Sequence, residues 1–501
     1  MSVTIKRNIV LLLVILALAF LLRAYGLSDE SLWYDEGLSI SHARLNVLGI
    51  SDDLARKDTH PPLYCIILHY WMMPFGDSEC SVRFLSVIFG TLAVLAIYKI
   101  AGLLFDRRTA LISSLFMAIS SFHIFFSQEA RMYSLMSLLA LFSMYFFLKL
   151  SDEKHVIYSI GYVIVTASLI YTHYAGFLLI FIQNIYTITL PICSKKGPRP
   201  NYKKWFGLQL MLVLLYLPWL AALVIQTYKI ITNTTMKLAP SHLLAPPFNA
   251  NLIKDSLAQC CGSRLLAYIF LALSFFSIAD LRLKKLHLGP VSFNKTYFLW
   301  LWLLTPFFMP LFHEKFTFLL YFAKYMITSS PALYILAAKG LTNTPLRYLK
   351  IPTIALILAL SLINTSGIYK DVNKEPWKEA VGYIDRNARE GDLVIFNPPY
   401  IKRHVFDYYN KRTDLDLAPF PPEESETTYV NEDNSKKLPF LLMGHDRVWF
   451  IQTHMHDPMG YILKIIKGSY RLVEDKKYDI TSFQRRPNYY IGIRIYLFEK
   501  R

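Results

Sequence analysis

Residues 8–27 have the sequence NIVLLLVILALAFLLRAYGL, an almost unbroken apolar segment that follows Lys6 and Arg7. About 20 such residues suffice for an α-helix to cross a bilayer. Although Ala17-Leu18-Ala19 is similar to a signal-peptide cleavage site, Phe20-Leu21-Leu22 continues the apolar segment beyond it. The segment therefore predicts an uncleaved signal anchor, and we expect a membrane protein.

Ten further segments have a comparable apolar content, which favours a polytopic membrane protein over a soluble enzyme. Charged residues make up 18% of the 501 residues, whereas a soluble domain has about 25%. The five scattered cysteines exclude a disulfide framework. The eleven predicted spans are 8–27, 82–104, 109–127, 132–149, 156–173, 174–193, 205–226, 264–281, 297–312, 316–337 and 351–369.

The charge distribution predicts a cytoplasmic N-terminus. The net charge is +17, and residues 1–369 carry 31 Lys and Arg against 16 Asp and Glu. Basic residues are dense in loops that alternate to the inner side, such as 195–204 and 282–295, as the positive-inside rule requires. We therefore expect a multi-pass plasma (inner) membrane protein with a transmembrane domain at 1–369, a long outer loop at 28–81 and an extracytoplasmic domain at 370–501. Nucleic-acid binding is not expected, because the sequence has no basic patch on a soluble face.

The sequence after residue 370 predicts a soluble α/β domain. Apolar residues at helical spacing between Pro376 and Ile384 precede Leu393-Val394-Ile395-Phe396, which has the pattern of a buried strand. Further strands are predicted at Arg447–Ile451 and Tyr489–Phe498. Helices and strands that alternate in this way are typical of an α/β domain.

Two acidic motifs are predicted at the outer membrane face. Ser31-Leu32-Trp33-Tyr34-Asp35-Glu36-Gly37 follows the first span, and a carboxylate there acts as a general base if it is oriented and partly desolvated. The alternative is that Asp35 caps a helix. Ser127-Gln128-Glu129-Ala130-Arg131-Met132-Tyr133 forms the turn between the third and fourth spans, where a charge is costly unless it is paired or functional. Arg131 suits phosphate oxygens, and the alternative is an interface pair of Glu129 with Arg131.

Two basic residues are predicted on the same side of the membrane. His60-Pro61-Pro62-Leu63-Tyr64 indicates a rigid entry into a helix. His60 would then bind an anion at the helix N-terminus, ligate a metal or cap the helix. Lys324, which precedes Tyr325, is expected about two helical turns into the tenth span, where it either snorkels to the surface or neutralises an anion.

The order and spacing of these motifs resemble the polytopic glycosyltransferases of the C fold (GT-C). In particular, they are similar to the bacterial and archaeal mannosyltransferase-like set, which is related to the protein O-mannosyltransferases and to the lipid A aminoarabinose transferase. The resemblance covers the membrane part and is strongest over residues 30–135. It implies an α-helical GT-C fold, a sugar donor carried on polyprenyl phosphate, and a site at the outer face of the membrane.

The resemblance also implies roles for single residues. Asp35 matches the family's catalytic aspartate, and Glu129 and Arg131 match its second acidic position and the companion arginine. Lys324 stands where many relatives have arginine, so it keeps the charge but loses the bidentate fork. The catalytic candidates are Asp35, Glu36 and Glu129, and the substrate-binding candidates are His60, Arg131, Tyr133, Lys324 and Tyr325.

A physical mechanism follows from these roles. Asp35 would deprotonate the acceptor hydroxyl, and Arg131, with His60 and Lys324, would stabilise the negative charge of the leaving lipid phosphate. A single displacement would invert the anomeric centre. The sequence identifies no cofactor with certainty. A divalent metal at Asp35, Glu129 or His60 is compatible with the residue types, although no ligand cluster is dense enough to require one.

The expected partners are membrane lipids, a polyprenyl-phosphate-linked sugar (mannose or another hexose or pentose), and an extracytoplasmic glycan, lipid or protein hydroxyl as acceptor. Other classes of protein were weighed against this function. A secondary transporter should show internal repeats and a midplane site, whereas the sequence shows no convincing repeat and its acids cluster at one face. A lipid-glycan flippase is a further alternative. A scaffold or receptor would not need acids and cations gathered on one face.

Overall fold

Helices dominate the first 370 residues, as the apolar segments predict. The structure is a computed structural model that describes residues 3–150, 155–193, 200–232, 249–278, 290–312, 323–344, 347–422, 428–454, 456–480 and 492–501. The helices before the tail are α1 (Val3–Ala24), α2 (Tyr34–Ala43), α3 (Val47–Lys57), α4 (Leu63–Phe75), α5 (Glu79–Leu104), α6 (Arg107–Ala118), α7 (Ser121–Ser127), α8 (Tyr133–Lys149), α9 (Val156–Thr172), α10 (Gly176–Cys193), α11 (Tyr202–Thr232), α12 (Ala250–Cys261), α13 (Arg264–Phe275), α14 (Pro290–Phe312), α15 (Ser330–Asn343) and α16 (Arg347–Lys370).

A helix overlaps each of the eleven predicted spans, but many of these helices are short or bent. Four stretches are long and apolar enough to cross a membrane alone, namely Lys6–Ala24, Glu79–Leu104, Tyr202–Tyr228 and Tyr348–Lys370. Two bent pairs, α6 with α7 at 60° and α12 with α13 at 92°, raise the number to six if each pair is one span. Within the described residues the chain is thus a multi-pass helical protein, and the count of eleven spans stays a prediction.

Two predicted spans are not continuous α-helices. The third is broken between Ala118 and Ser121, where the Ser120 side chain accepts a hydrogen bond from the His123 amide and caps α7. In the tenth, a 3-10 segment (Ala323–Thr328) precedes α15. Lys324 lies in that segment, and because the preceding residues of the span are outside the described ones, its depth of about two helical turns stays a prediction. Parts of the predicted inner loops 195–204 and 282–295, residues 316–322 of the tenth span and residues 489–491 of the last predicted strand lie outside the described residues.

The tail contains the predicted α/β arrangement. Helix α17 (Trp377–Asn387) precedes a five-stranded sheet with the order β2-β1-β3-β5-β4. The strands are β1 (Leu393–Asn397), β2 (Asp416–Pro419), β3 (Arg447–Gln452), β4 (Tyr470–Tyr478) and β5 (Ile493–Lys500). The short helical elements between the strands are a π-helix (Lys402–Phe406), α18 (Asp407–Tyr409), α19 (Glu432–Ser435), α20 (Leu438–Leu442) and α21 (Tyr461–Ser469).

Both faces of this sheet are covered. Strand β1 is parallel to β2 and β3, whereas β5 is antiparallel to β3 and β4. Alternate residues of one strand enter different cores: Val394 and Phe396 pack with Trp377, and Leu393 and Ile395 pack with residues of α20 and α21. This burial on both faces explains why β1 has a continuous apolar sequence instead of an alternating one.

The tail also lies directly on α2. An added Cβ at Gly37 would be 2.1 Å from the main-chain oxygen of His404, which belongs to the π-helix of the tail. Any larger residue at this position would push the tail away from α2. The glycine that follows Asp35 and Glu36 therefore permits close approach of the two parts of the chain.

Candidate active site

The first turn of α2 presents Asp35 and Glu36 to different surroundings. Trp33 is extended, and its main-chain amide donates to the Glu36 side chain at 3.4 Å, which starts the helix. Acidic residues in a first turn are stabilised by the positive end of the helix dipole. Successive helical residues diverge by about 100°, so only one of the two carboxylates can face a given partner.

Asp35 faces Arg131. The Arg131 Nε lies 3.9 Å from Asp35 Oδ2, and Arg131 Nη1 donates to the Asp35 carbonyl oxygen at 3.1 Å and to Ser39 Oγ at 3.0 Å. Burial alone would raise the pKa of Asp35, but Arg131, Lys324 and His60 hold it below its usual value. Asp35 is therefore an ionised, partly desolvated carboxylate at neutral pH, as a general base must be.

Glu36 is instead enclosed by hydrogen-bond donors. Its two oxygens accept from Arg83 Nε at 2.8 Å and Nη2 at 2.7 Å, and it also accepts from the Ala130 amide at 2.9 Å. Lys374, from the start of the tail, lies 3.3 Å from Oε2. Burial opposes ionisation, yet these cations lower the pKa of Glu36 to about 2. Glu36 thus joins α2, α5, the outer turn and the tail.

The other predicted binding residues gather beside Asp35. Lys324 Nζ lies 5.3 Å from the centre of the Tyr133 ring and 5.8 Å from the ring of Tyr325. The His173 ring lies 5.0 Å from that of Tyr325 and 5.4 Å from that of His60. These residues are far apart in the sequence, but their side chains form one cluster of polar and aromatic groups.

A second polar network holds His60. Asp58 Oδ1 lies 2.7 Å from His60 Nδ1, and Asp58 Oδ2 lies 3.3 Å from His42 Nε2. The other nitrogen of His42 lies 3.1 Å from Asp53. Burial favours the neutral form of Asp58, but His60 and His42 hold its pKa well below the usual value. Asp58, which is itself held by His42, therefore fixes the orientation of the His60 ring.

Several buried polar atoms in this group have no hydrogen-bond partner among the described residues. They include Glu129 Oε2, Arg131 Nε, Tyr133 OH and His173 Nε2. Buried polar atoms in folded proteins are nearly always paired, so the unpaired ones here are groups that could still accept or donate a hydrogen bond. In the described part of the chain, no group of three or more His, Cys, Asp or Glu side chains is arranged to hold a metal ion.

The structure brings all eight predicted residues together, and it adds four that the sequence analysis did not select. Arg83 had a recognisable signal, because a charged residue at the start of an apolar span is costly without a partner. His173 lies in the sequence Tyr171-Thr172-His173-Tyr174, which is equally typical of an aromatic belt at the membrane interface. Asp58 and Lys374 had no local signal, since only tertiary contacts place them here. The alternative pairing of Glu129 with Arg131 is not found among the described residues, where Arg131 faces Asp35.

Comparison with known proteins finds one matching family model, over part of the chain. Residues 59–238 match the family model described as dolichyl-phosphate-mannose-protein mannosyltransferase. No curated protein sequence matches the chain.

Solved structures match over nearly the whole chain. The archaeal oligosaccharyltransferase AglB from Archaeoglobus fulgidus, in complex with an inhibitory peptide and a dolichol-phosphate, is 14% identical with a TM-score of 0.60 over 97% of this chain and 76% of that chain. ArnT from Cupriavidus metallidurans is 12% identical in the apo state, with a TM-score of 0.62 over 99% of this chain and 98% of that chain. ArnT bound to undecaprenyl phosphate is 13% identical, with a TM-score of 0.59 over 97% of each chain. These matches confirm the resemblance to GT-C-type glycosyltransferases, and at these identities they show the fold alone.

Proposed function

We propose that this chain is a membrane glycosyltransferase that moves a sugar from a polyprenyl-phosphate donor to the hydroxyl of an extracytoplasmic acceptor. The observation that carries the proposal is the ionised carboxylate of Asp35, held 3.9 Å from the buried guanidinium of Arg131. One group can accept a proton while the other stabilises an anion. A transfer that releases a lipid phosphate requires both.

The base in this mechanism is Asp35. It removes the proton of the acceptor hydroxyl as that oxygen attacks the anomeric carbon of the donor. The bond from this carbon to the phosphate oxygen breaks, and the phosphate leaves with its lipid. Because attack and departure occur on opposite sides in a single step, the product has the inverted anomeric configuration.

The leaving phosphate is stabilised by cations around Asp35. Arg131 has a buried Nε without a hydrogen-bond partner among the described residues, and Lys324 and His60 lie near the same carboxylate. Donors fixed before the reaction cost no reorganisation when charge develops. Tyr133 and Tyr325 hold Lys324 in place through their ring faces.

The class of donor is supported by the solved structures of similar fold. AglB was solved with a dolichol-phosphate and ArnT with undecaprenyl phosphate, and both ligands are polyprenyl phosphates. The match to a family described by dolichyl-phosphate-mannose favours mannose as the first sugar to test. The transporter and flippase alternatives are not favoured, because the matched family and folds are those of transferases.

Glu36 takes a positioning role in this proposal. Its carboxylate accepts from Arg83 and the Ala130 amide, which belong to the chain itself, and it is fully buried. It therefore fixes α2 against the turn that contains Glu129 and Arg131, so that Asp35 and Arg131 face each other. Glu129 lies beside these groups and belongs to the same site. Burial, together with the nearby carboxylates of Glu36 and Asp35, raises its pKa to about 8.

The test is turnover by the purified full chain in lipid nanodiscs. The donor is polyprenyl-phosphate mannose labelled in the sugar, and the acceptor is the glycan and lipid fraction of cells that lack the gene. We expect Asp35→Asn to abolish label transfer while donor binding is retained, because the amide keeps the shape and loses the basicity. Asp77→Asn, at a half-exposed surface pair with Arg44, is the matched control and should transfer normally. Equal transfer by wild type and Asp35→Asn would refute the role of Asp35.

A further inference from the structure

The helix that carries Asp35 begins without a capping acceptor at its own N-cap position. Asp35 is the second residue of α2, and Trp33 precedes the helix with an extended backbone. The first amides of a helix have no partner within it, and a side-chain oxygen at the N-cap usually accepts from them. The indole of Trp33 contains a donor and no acceptor. The amides around the start of this helix therefore depend on acceptors from elsewhere in the chain.

The tail supplies two of these acceptors. The Leu32 amide donates to the Tyr409 hydroxyl at 2.6 Å, and the Tyr34 amide donates to Glu375 Oε2 at 3.4 Å. The amide between them donates to a side chain of α2 itself. Three successive amides before the catalytic base thus have acceptors, and the two acceptors from outside α2 both belong to the tail.

Glu375 is held firmly within the tail. Its Oε2 accepts from Trp377 Nε1 at 2.7 Å, and its Oε1 lies 2.6 Å from His454 Nε2. The Glu375 side chain is fully buried. The backbone of His454 is left-handed with φ 55°, a conformation that persists in a non-glycine residue only where the surrounding structure fixes it. Glu375 therefore presents an immobile carboxylate to the N-terminus of α2, where the helix dipole favours negative charge.

Further contacts join the tail to the same segment on both sides of its acidic pair. Before the helix, Ser31 Oγ donates to Glu379 Oε2 at 3.0 Å and accepts from the Lys378 amide at 3.0 Å. Towards the end of the helix, His404 Nδ1 lies 3.0 Å from Ser41 Oγ. The position of α2 is consequently set by the tail as well as by the membrane helices.

We propose that Glu375 is a positioning residue for Asp35, because it caps the catalytic helix from the tail. The inference rests on the proposed transferase function and adds a residue that acts on the base through the main chain of Tyr34. Without this carboxylate the Tyr34 amide loses its acceptor, and the first turn of α2 shifts. A displacement of about 1 Å at a reacting group lowers a rate by about 100-fold. The tail is thereby a part of the catalytic unit.

The experiment measures kcat, donor KM and thermal unfolding of the full chain in nanodiscs, with labelled polyprenyl-phosphate mannose and the glycan and lipid fraction of cells that lack the gene. Glu375→Ala should lower kcat by about 10- to 100-fold. Donor KM should stay unchanged, because Arg131 and Lys324 lie on other elements. Glu375→Gln should retain most of the wild-type kcat, since its amide oxygen still accepts from Tyr34. A Glu375→Gln enzyme as slow as Glu375→Ala would contradict capping by an oxygen acceptor.

The control for tail stability is Trp449→Phe. It removes another buried hydrogen bond of the tail, from Trp449 Nε1 to Asp392 Oδ2 at 2.8 Å, and this bond does not involve α2. The variant should unfold at a lower temperature and keep the wild-type kcat. A loss of kcat that Trp449→Phe reproduces would assign the effect of Glu375→Ala to tail stability and would overturn the proposal.

A second pair of variants tests the same cap with less change in packing. Tyr409→Phe keeps the ring and leaves the Leu32 amide without its acceptor, so it should also lower kcat at constant donor KM. Tyr408→Phe is the matched control, because this neighbouring hydroxyl donates to the main-chain oxygen of Asp77, and it should be silent. If Glu375→Ala does not fold, the comparison of Tyr409→Phe with Tyr408→Phe decides.

The failure of this inference is distinguishable from the failure of the proposed function. Wild-type kcat in Glu375→Ala and Tyr409→Phe, with Asp35→Asn inactive, would overturn the cap and leave the proposed function standing. Normal transfer by Asp35→Asn would overturn the proposed function itself.

Discussion

Arg131 contacts Asp35 at two points. Its Nη1 donates to the main-chain carbonyl oxygen of Asp35 at 3.1 Å, and its Nε lies 3.9 Å from the carboxylate. The first contact fixes the guanidinium on α2, and the second lowers the pKa of the base. The Nε has no hydrogen-bond partner among the described residues, and the proposed mechanism assigns to it a phosphate oxygen of the donor.

Replacement of this arginine by alanine is expected to reduce kcat strongly while the protein still inserts and folds. The leaving phosphate loses its best counter-charge, and removal of one fixed donor to developing charge costs about 2.7–4 kcal/mol, or roughly 100- to 1000-fold in rate. Steady-state turnover of Arg131→Ala with the labelled donor measures the effect. Arg264→Ala removes an arginine from an exposed pair with Asp255 and should be silent. An Arg131→Ala enzyme with near-normal kcat would exclude the phosphate role.

The main expected effect of Glu36→Gln is a lower free energy of unfolding. Its effect on the rate of sugar transfer is expected to be smaller. The substitution leaves the buried Arg83 and Lys374 without their shared carboxylate, and breaking a buried ion pair typically costs about 3–5 kcal/mol. Thermal unfolding in nanodiscs should therefore show a large loss of stability for Glu36→Gln, while the fraction that remains folded transfers sugar.

The surface pair of Arg44 with Asp77 provides the comparison. Both side chains are about half exposed at a distance of 2.7 Å, and an exposed pair contributes only about 0–1 kcal/mol. Arg44→Gln should therefore unfold almost like wild type. If Glu36→Gln is fully stable and inactive while Asp35→Asn transfers sugar, the roles of the two carboxylates are reversed.

The sequence could predict those site residues that are unusual among their immediate neighbours in the chain. Asp35, Glu129 and Arg131 are charged residues beside apolar spans, and their energetic cost marks them. The helix before β1 followed from the helical spacing of its apolar residues, and β1 followed from its continuous apolar run, which its burial on both faces explains. These inferences depend on short stretches of sequence, and tertiary contacts did not alter them.

The rest depends on contacts between distant segments. Lys374 reaches Glu36 across more than 300 residues, and no local pattern distinguishes it from a surface lysine. The break between α6 and α7 is set by the cap of Ser120, which interrupts an otherwise apolar sequence. The 3-10 conformation around Lys324 is likewise a tertiary feature, since the sequence there has the hydropathy of a regular span.

The orientation in the membrane is the next prediction. The excess of Lys and Arg in alternate loops predicts a cytoplasmic N-terminus and an extracytoplasmic tail. Reporter fusions after Lys203, at the start of α11, and after Asn410, in the tail, should give opposite signals for cytoplasmic and external location. Equal signals from the two positions would contradict the placement of the site at the outer face.

The last prediction concerns Glu129, whose pKa is raised to about 8 by burial, with Glu36 and Asp35 nearby. Its carboxyl group is thus protonated at neutral pH and becomes an anion as the pH rises through about 8. That anion would oppose the charge that develops on the leaving phosphate, so kcat should fall over this interval. The folded state also binds one more proton than the unfolded state between about 4.5 and 8, so stability should decline with rising pH there. Glu129→Gln should flatten both profiles, measured from about pH 6 to about 10, roughly two units on either side of the midpoint near 8, because the amide does not ionise. A wild-type rate that rises through pH 8 would instead identify Glu129 as a base.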